Sequence, residues 1–292
     1  MAIEKNDLPI CDVPLVSVGI STFNRSNILP SAINSALAQN YPKLEVRVVD
    51  DGSTDSTPDV AIKFQHINWV RWEKNQGLVA ARNHMMMESA GKYYVSLDDD
   101  AWFLKGDEIK LATDILEANS SIAAIAFDIL SPDRPQEVLR RPYTYVSMFI
   151  GCGHVLRLDA VRKMNGYGNF PGSYGGEEKD LCLRLIDAGY GVVKVHGVHV
   201  WHDKTMTARD LYSQHRSGVC NDFVIALRRI PLYLLPLFIS WKFVRHLKFA
   251  IRSNLVPPFW AGLRAFLAAI PVVWKGRSPV RLKTLWVMSR LE

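Results

Sequence analysis

The sequence predicts an α/β fold, a central, mostly parallel mixed sheet flanked by helices, followed by a basic helical segment. Three observations predict it. Short β-branched runs alternate with apolar stretches at helical spacing from Val13 to His202. Acidic residues follow directly on two of those runs, Asp50 and Asp51 and then Asp98 to Asp100. Charge then divides the chain: residues 1–203 hold 20 Lys+Arg against 26 Asp+Glu, and residues 204–292 hold 15 against 3. That division predicts a domain boundary near Asp203, between residues 1–203 and a basic helical region over 204–292.

The elements follow in order. "LVSVGIST" from Leu15 is a β-branched run, "NILPSAINSALAQN" carries a helical apolar stripe, and "LEVRVVDDGSTDST" from Leu44 returns to strand, which makes a βαβ unit. Ser53 or Thr54 is placed to cap the helix behind it. A third apolar pulse spans Ile67 to Trp72, then comes the helical "GLVAARNHMMMESAG", then "KYYVSL" running into three aspartates. "IAAIAFDIL" and "MFIGCGHVLRL" read as strands, "EKDLCLRLIDAGY" as an amphipathic helix closed by Gly189, and "GVVKVHGVHVWH" as a last strand pair. In such sheets ligands collect beyond the carboxyl ends of the strands, so both acidic clusters belong at one edge.

Composition removes several classes. With 48% hydrophobic residues in 292, the chain can bury a sizeable core. Cys11, Cys152, Cys182 and Cys220 include no C-x-x-C pair, which argues for reduced thiols rather than a zinc site or a disulfide framework. The N-terminal stretch has no apolar run behind a basic start, so the expectation is a cytoplasmic protein without a secretory signal. The G-x-G-x-x-G and G-x-x-x-x-G-K-[ST] phosphate loops are absent, and no nucleic-acid motif accompanies the basic residues, so no nucleic-acid partner is expected.

Three adjacent carboxylates repel one another unless hydrated or bound to a cation. Asp98 and Asp100 have the D-x-D spacing with which Mg²⁺ or Mn²⁺ bridges carboxylates to a diphosphate. A solvated turn is the plainer alternative.

"VSVGISTFNR", "VRVVDDGSTDST", "NQGLVAARN", "YYVSLDDDA" and "YGGEEKDLCLRLIDAGY", in that order, resemble the family 2 inverting glycosyltransferases with the GT-A (nucleotide-diphospho-sugar transferase) fold. The resemblance covers Val13 to His202. It implies that Ser21 and Phe23 line a nucleotide pocket, with Phe23 over the base, where relatives more often carry Pro-Thr-Tyr-Asn. It implies that Asp51, and behind it Asp50, accepts a hydrogen bond from the base, and that Arg82 lies on the donor side. Asp98 and Asp100 match the ends of the D-x-D motif, with Asp100 as metal ligand and Asp99 hydrogen-bonded to structure.

An inverting transfer also needs a carboxylate to take the acceptor's proton. Glu178 occupies the base position, where the family more often has Asp, and Glu177 stays as a second candidate. Asp180 fits an acidic helix start. His202, ahead of His199, matches a histidine near the diphosphate or metal, and Gly153 and His154 match the acceptor side.

The C-terminal region adds two apolar runs. Ile230 to Trp241 is too short to span a bilayer, and Leu255 to Trp274 carries Arg264 near its centre. Between them Lys242, Arg245, Lys248 and Arg252 share one helical face, with Trp241, Val244, Leu247 and Ile251 on another. That pattern suits an in-plane membrane helix, or a helix packed on the catalytic domain or on a second copy in a homodimer.

The expected function is transfer of a sugar from a nucleoside-diphosphate donor to a hydroxyl of a glycan or lipid-linked acceptor, with Mg²⁺ or Mn²⁺, peripheral to the cytoplasmic face of a membrane. The alternatives are a nucleotidyltransferase and a non-catalytic membrane-associated scaffold.

Overall fold

The computed structural model describes residues 13–131, 143–203 and 210–291. Cys11 lies outside the described residues, as do residues 204–209 at the charge division.

The first half alternates as expected: β1 (Val16–Thr22), α1 (Leu29–Leu37), β2 (Leu44–Asp50), α2 (Thr57–Lys63), β3 (Asn68–Arg71), α3 (Leu78–Glu88) and β4 (Tyr93–Asp98). Next come β5 (Ala101–Phe103), α4 (Glu108–Ala118), β6 (Ile122–Leu130) and β7 (Tyr143–Tyr145). β8 (Gly153–Arg157), α5 (Leu158–Arg162), α6 (Glu177–Asp187) and β9 (Gly191–His202) complete the sheet and its cover. The C-terminal region is helical: α7 (Leu211–Arg229), α8 (Leu235–Arg252), α9 (Val256–Lys275) and α10 (Leu282–Met288).

The sheet runs β3-β2-β1-β4-β8-β6-β9-β5, with β7 beside β9. β3, β2, β1 and β4 are parallel neighbours, while β8 runs antiparallel between β4 and β6. Helices cover both faces, which is why β1 is buried at every position rather than at alternate ones. α1 shows the covering logic: Leu29, Ala32, Ile33 and Ala36 form one buried stripe, with Pro30 in the first turn. Two apolar clusters result, one built around Val18, Ile33 and Val95 and the other around Tyr94, Leu156 and Leu181.

Two strand expectations change. "GVVKVHGVHVWH" is one strand, not a pair: Gly197, at φ +100°, lies where the β6 register jumps from Ala126↔Lys194 to Asp128↔His199. A bulge glycine interrupts the alternation without ending the strand. In "MFIGCGHVLRL" only Gly153 to Arg157 is strand, because the chain turns beforehand, Gly153 N donating to Ile150 O at 3.4 Å.

The basic helices form a third apolar cluster, with Phe223, Phe259 and Phe266 at its centre. Here the two-faced reading of α8 is corrected. Lys242 is buried and Arg245 bends inward, because both reach the buried carboxylate of Asp222 on α7, at 2.7 and 2.8 Å. Trp241, Val244 and Ile251 point outward, Lys248 and Arg252 are exposed beside them, and Leu247 packs on the third cluster. α9 is long and apolar enough, by length and composition, to cross a membrane, and Arg264 is exposed at its middle.

Candidate active site

Strand registers bring the site together. β1 pairs with β2 so that Thr22 lies opposite Asp50, and with β4 so that Ser21 lies opposite Asp98. The two acidic clusters therefore share the carboxyl edge of the parallel strands. β5 pairs antiparallel with the end of β9, Ala101 opposite His202, and Asp203 N donates to Asp100 O at 2.9 Å. That short pairing draws a histidine about a hundred residues downstream onto the aspartates.

A cavity of about 420 Å³ opens at this edge, lined in part by Ser21, Phe23, Asp51, Asp98, Asp100 and His202. Phe23 is 43% exposed at its rim. Asp51 uses both oxygens on the backbone ahead of α3: Gln76 N donates to Oδ1 at 2.6 Å and Gly77 N to Oδ2 at 2.8 Å. Asp50 lies beneath, fully buried, accepting from Ser53 N at 2.9 Å and facing Arg71 at 3.5 Å. Ser53 and Thr54 brace the loop after β1 rather than cap a helix. Asn24 N donates to Ser53 Oγ, Thr54 N donates to Asn24 Oδ1, and α2 starts only at Thr57.

Asp98, Asp100 and His202 offer ligand atoms within 4.8 Å of one another, and His202 Nε2 is 3.2 Å from Asp100 Oδ1. Two carboxylate oxygens and one imidazole nitrogen fit a divalent cation such as Mn²⁺ or Mg²⁺, the nitrogen suiting Mn²⁺ better. Burial pushes the Asp99 carboxyl up to about 7, with Asp100 and Asp98 adding to the shift. His199 is elsewhere, buried 3.8 Å from Asp128.

Arg82 stands behind the cavity wall, 2% exposed. Its Nη2 donates to Asp98 Oδ1 at 2.5 Å and to Gly151 O at 3.0 Å. Its Nη1 lies 3.4 Å from Glu178 Oε1 and 3.9 Å from Glu177 Oε1. The guanidinium thus joins the aspartate edge to the first turn of α6. Burial pushes the Glu178 carboxyl up to about 7, Glu177 adding to the rise and Arg82 opposing it.

Two glycines at positive φ, Gly175 (+78°) and Gly176 (+104°), aim that turn at Arg82. Asn221 of α7 clamps the loop before them. Its Oδ1 accepts from Gly172 N at 2.9 Å, and its Nδ2 donates to the carbonyls of Gly172 and Gly175 at 3.0 and 2.6 Å. Asp180 faces away, fully buried between Arg184 (2.8 Å) and Arg229 (2.6 Å).

Gly153 and His154 do not border this site. A Cβ on Gly153 would meet Ile129 and Phe127 of the core. His154 is fully buried, stacked on Phe149 and 2.6 Å from the Tyr167 hydroxyl. The neighbouring Gly151 is the glycine that matters, since a Cβ there would come within 2.3 Å of Glu178 Oε1 and 2.9 Å of Arg82 Nη1. Gly151, Asn221 and the cavity-lining Gln214 were not legible beforehand, because each acts through partners distant in sequence.

Comparison with known proteins identifies the family and the fold. Residues 17–164 match the model of glycosyl transferase family 2, and residues 133–276 that of glycosyl transferase family group 2. A putative teichuronic acid biosynthesis glycosyltransferase of Bacillus subtilis is 30% identical over 83% of this chain and 98% of its own length. The glycosyltransferase AglE of Haloferax volcanii is 28% identical over 75% of this chain and 77% of its own. Among solved structures, TarS 1–349 of S. aureus in complex with UDP-GlcNAc superposes with a TM-score of 0.66 at 16% identity, covering 90% of this chain and 84% of that one. A Pyrobaculum calidifontis mannosyltransferase in complex with GDP-Man and Mn²⁺ gives 0.61 at 18% identity, over 94% and 79%. The mixed sheet with its flanking helices is the GT-A fold. With the D-x-D edge and the acidic helix start both in place, the chain belongs to glycosyl transferase family 2.

Proposed function

We propose that this glycosyltransferase moves a sugar from a nucleoside-diphosphate donor to a hydroxyl of a glycan or lipid-linked acceptor, with inversion at the anomeric carbon. The observation that carries the reading is the Arg82 bridge, which sets Asp98 and Glu178 on two sides of one guanidinium.

Phe23 covers the base of the donor, Ser21 and Asp51 hold the nucleoside, and Asp50 stiffens the turn beneath. Asp98, Asp100 and His202 hold Mg²⁺ or Mn²⁺, which when bound supplies Lewis-acid neutralisation of the diphosphate. Glu178 takes the proton of the acceptor hydroxyl as its oxygen bonds to the anomeric carbon. The bond from that carbon to the diphosphate oxygen breaks, and the diphosphate leaves with the electron pair. Glu177 is the second candidate for the base. Arg82, buried and paired, acts as a positioning residue on the donor side rather than as a phosphate contact.

We assign residues 1–203 to a catalytic domain and 204–292 to a basic C-terminal region, whose α7 completes the site through Gln214 and Asn221. We place the enzyme peripherally at the cytoplasmic face of a membrane. Leu237, Trp241, Val244 and Ile251 are each more than half exposed along α8, and Trp260, Leu267 and Trp274 are exposed on α9. A bilayer interface accepts such a tryptophan-bearing apolar surface, with Lys248 and Arg252 beside it. Arg264 disfavours a span, since a central arginine costs about 2.5–3.5 kcal/mol on insertion scales.

Product analysis with nucleoside-diphosphate sugars and Mn²⁺ tests the reaction. Free nucleoside diphosphate and an inverted anomer are expected, and release of sugar 1-phosphate, with the nucleotidyl group carried to the acceptor, would instead indicate nucleotidyl transfer.

A further inference from the structure

Beside the base helix lies a second concentration of charge. Asp222 on α7 is buried, and four side chains from two other helices close on it. Lys179 Nζ and Lys242 Nζ each approach Oδ1 at 2.7 Å, while Arg245 Nη2 and His246 Nε2 approach Oδ2 at 2.8 and 3.0 Å. Leaving His246 aside, three cations share one carboxylate and two positive charges are left over. Among the described residues the three have no other side-chain hydrogen-bond acceptor. Burial pushes the Lys242 ammonium down to about 8, the Lys179 charge adding to the shift and Asp222 opposing it.

We propose that Lys179, Lys242 and Arg245 form an anion subsite that takes the phosphate or diphosphate group of a phosphate-bearing acceptor. The proposal rests on the transferase reading and names its acceptor class. An ammonium has three donors and a guanidinium five, so each cation can serve Asp222 and a phosphate together, and charge-assisted bonds of this kind are the strong ones. The adjacent His215, its ring 6.3 Å from that of His246, has a buried Nε2 without a partner among the described residues.

The location suits an acceptor. Lys179 directly follows Glu178, so the cluster begins one residue from the proposed base. On α7, Asp222 stands eight residues beyond Gln214 in the cavity wall, a distance of about 12 Å at the helical rise. Glu178 faces Arg82 while Lys179 faces Asp222, so the proposal has an acceptor reach across the start of α6, its hydroxyl at Glu178 and its phosphate on the cluster. Arg245 also stacks on the half-exposed Trp241 ring at 4.7 Å, which puts the subsite beside the outward apolar face of α8. A lipid phosphate would meet the cluster at that level, and a soluble phosphate ester would meet it by the same chemistry.

The test uses the full chain in EDTA, so that no metal loads the donor cavity. Calorimetric titration with pyrophosphate should show binding that weakens about tenfold in Arg245→Gln and again in Lys242→Gln, about one charge-assisted bond each. Arg245 is half exposed, so its replacement keeps the test intact if Lys242→Gln fails to fold. Phosphatidylcholine vesicles with and without phosphatidic acid give the second arm. An Arg245-dependent preference for phosphatidic acid assigns the subsite to lipid phosphate, and pyrophosphate binding without it assigns soluble esters. No pyrophosphate binding, or equal binding by wild type and both variants, would overturn the proposal and leave the cluster a tether for α8. Donor hydrolysis by wild type with Mn²⁺ is scored separately, so failure of the transferase reading is distinguishable from failure of the subsite.

Discussion

Arg82 donates to Asp98 across 2.5 Å, and the same guanidinium stands 3.4 Å from Glu178, ninety-six residues further along the chain. One buried cation thus fixes the separation between a proposed metal ligand and the proposed base. Arg82→Lys, a point charge without the planar fork, cannot keep both contacts and the Gly151 carbonyl together. We expect kcat to fall by about a hundredfold, the scale of a misplaced catalytic group. Stability should drop on the order of 3 kcal/mol, as for a broken buried pair. Steady-state kinetics and urea denaturation measure the two effects.

Gly151→Ala probes the same junction from the other side. Its Cβ would intrude on Glu178 and Arg82 rather than on the cavity, so kcat should fall at least tenfold while the donor KM changes little. An equal rise in donor KM would show that Gly151 serves donor binding instead.

The Glu178 carboxyl, pushed by burial from 4.5 up to about 7, must be ionised to act as a base. Rate should therefore rise with pH and reach half its plateau near 7, and Glu178→Gln should lower it by about 10² to 10⁴. Stability runs the other way. Because the folded pKa is raised, the fold holds the proton more tightly than the unfolded chain does, so stability declines between about 4.5 and 7. Glu178→Gln removes that loss. It should be more stable than wild type above pH 7, on the order of 2 kcal/mol, and no more stable below pH 4.5, as thermal melts at the two extremes will report.

Asn221→Ala should release the loop from Gly172 to Gly176 and lower kcat by about tenfold, with a stability loss on the order of 2 kcal/mol for the backbone groups left unpaired. Limited proteolysis between residues 172 and 176 should speed up in the same variant.

The sequence carried the acidic edge well. Asp50, Asp51 and Asp98 to Asp100 each follow an apolar strand, and in a parallel sheet strand ends share one edge, so local pattern sufficed. It carried the α6 start equally, through two glycines and adjacent glutamates. What it could not carry was any choice made by a distant partner. Gly153 and His154 look like site residues until β8 buries them, whereas Gly151 matters only because Arg82 and Glu178 converge on it. Lys242 and Arg245 fit an outer cationic face by spacing alone, but helical periodicity does not reveal that Asp222 draws them inward.

The most direct measurement of the central claim is release of nucleoside diphosphate from a nucleotide-sugar donor with Mn²⁺, compared between wild type, Asp100→Ala and Glu178→Gln. The account predicts Mn²⁺-dependent release by wild type, lost in Asp100→Ala together with the Mn²⁺-induced thermal stabilisation. It predicts that Glu178→Gln keeps that stabilisation but loses transfer. Wild-type rates in both variants would contradict it.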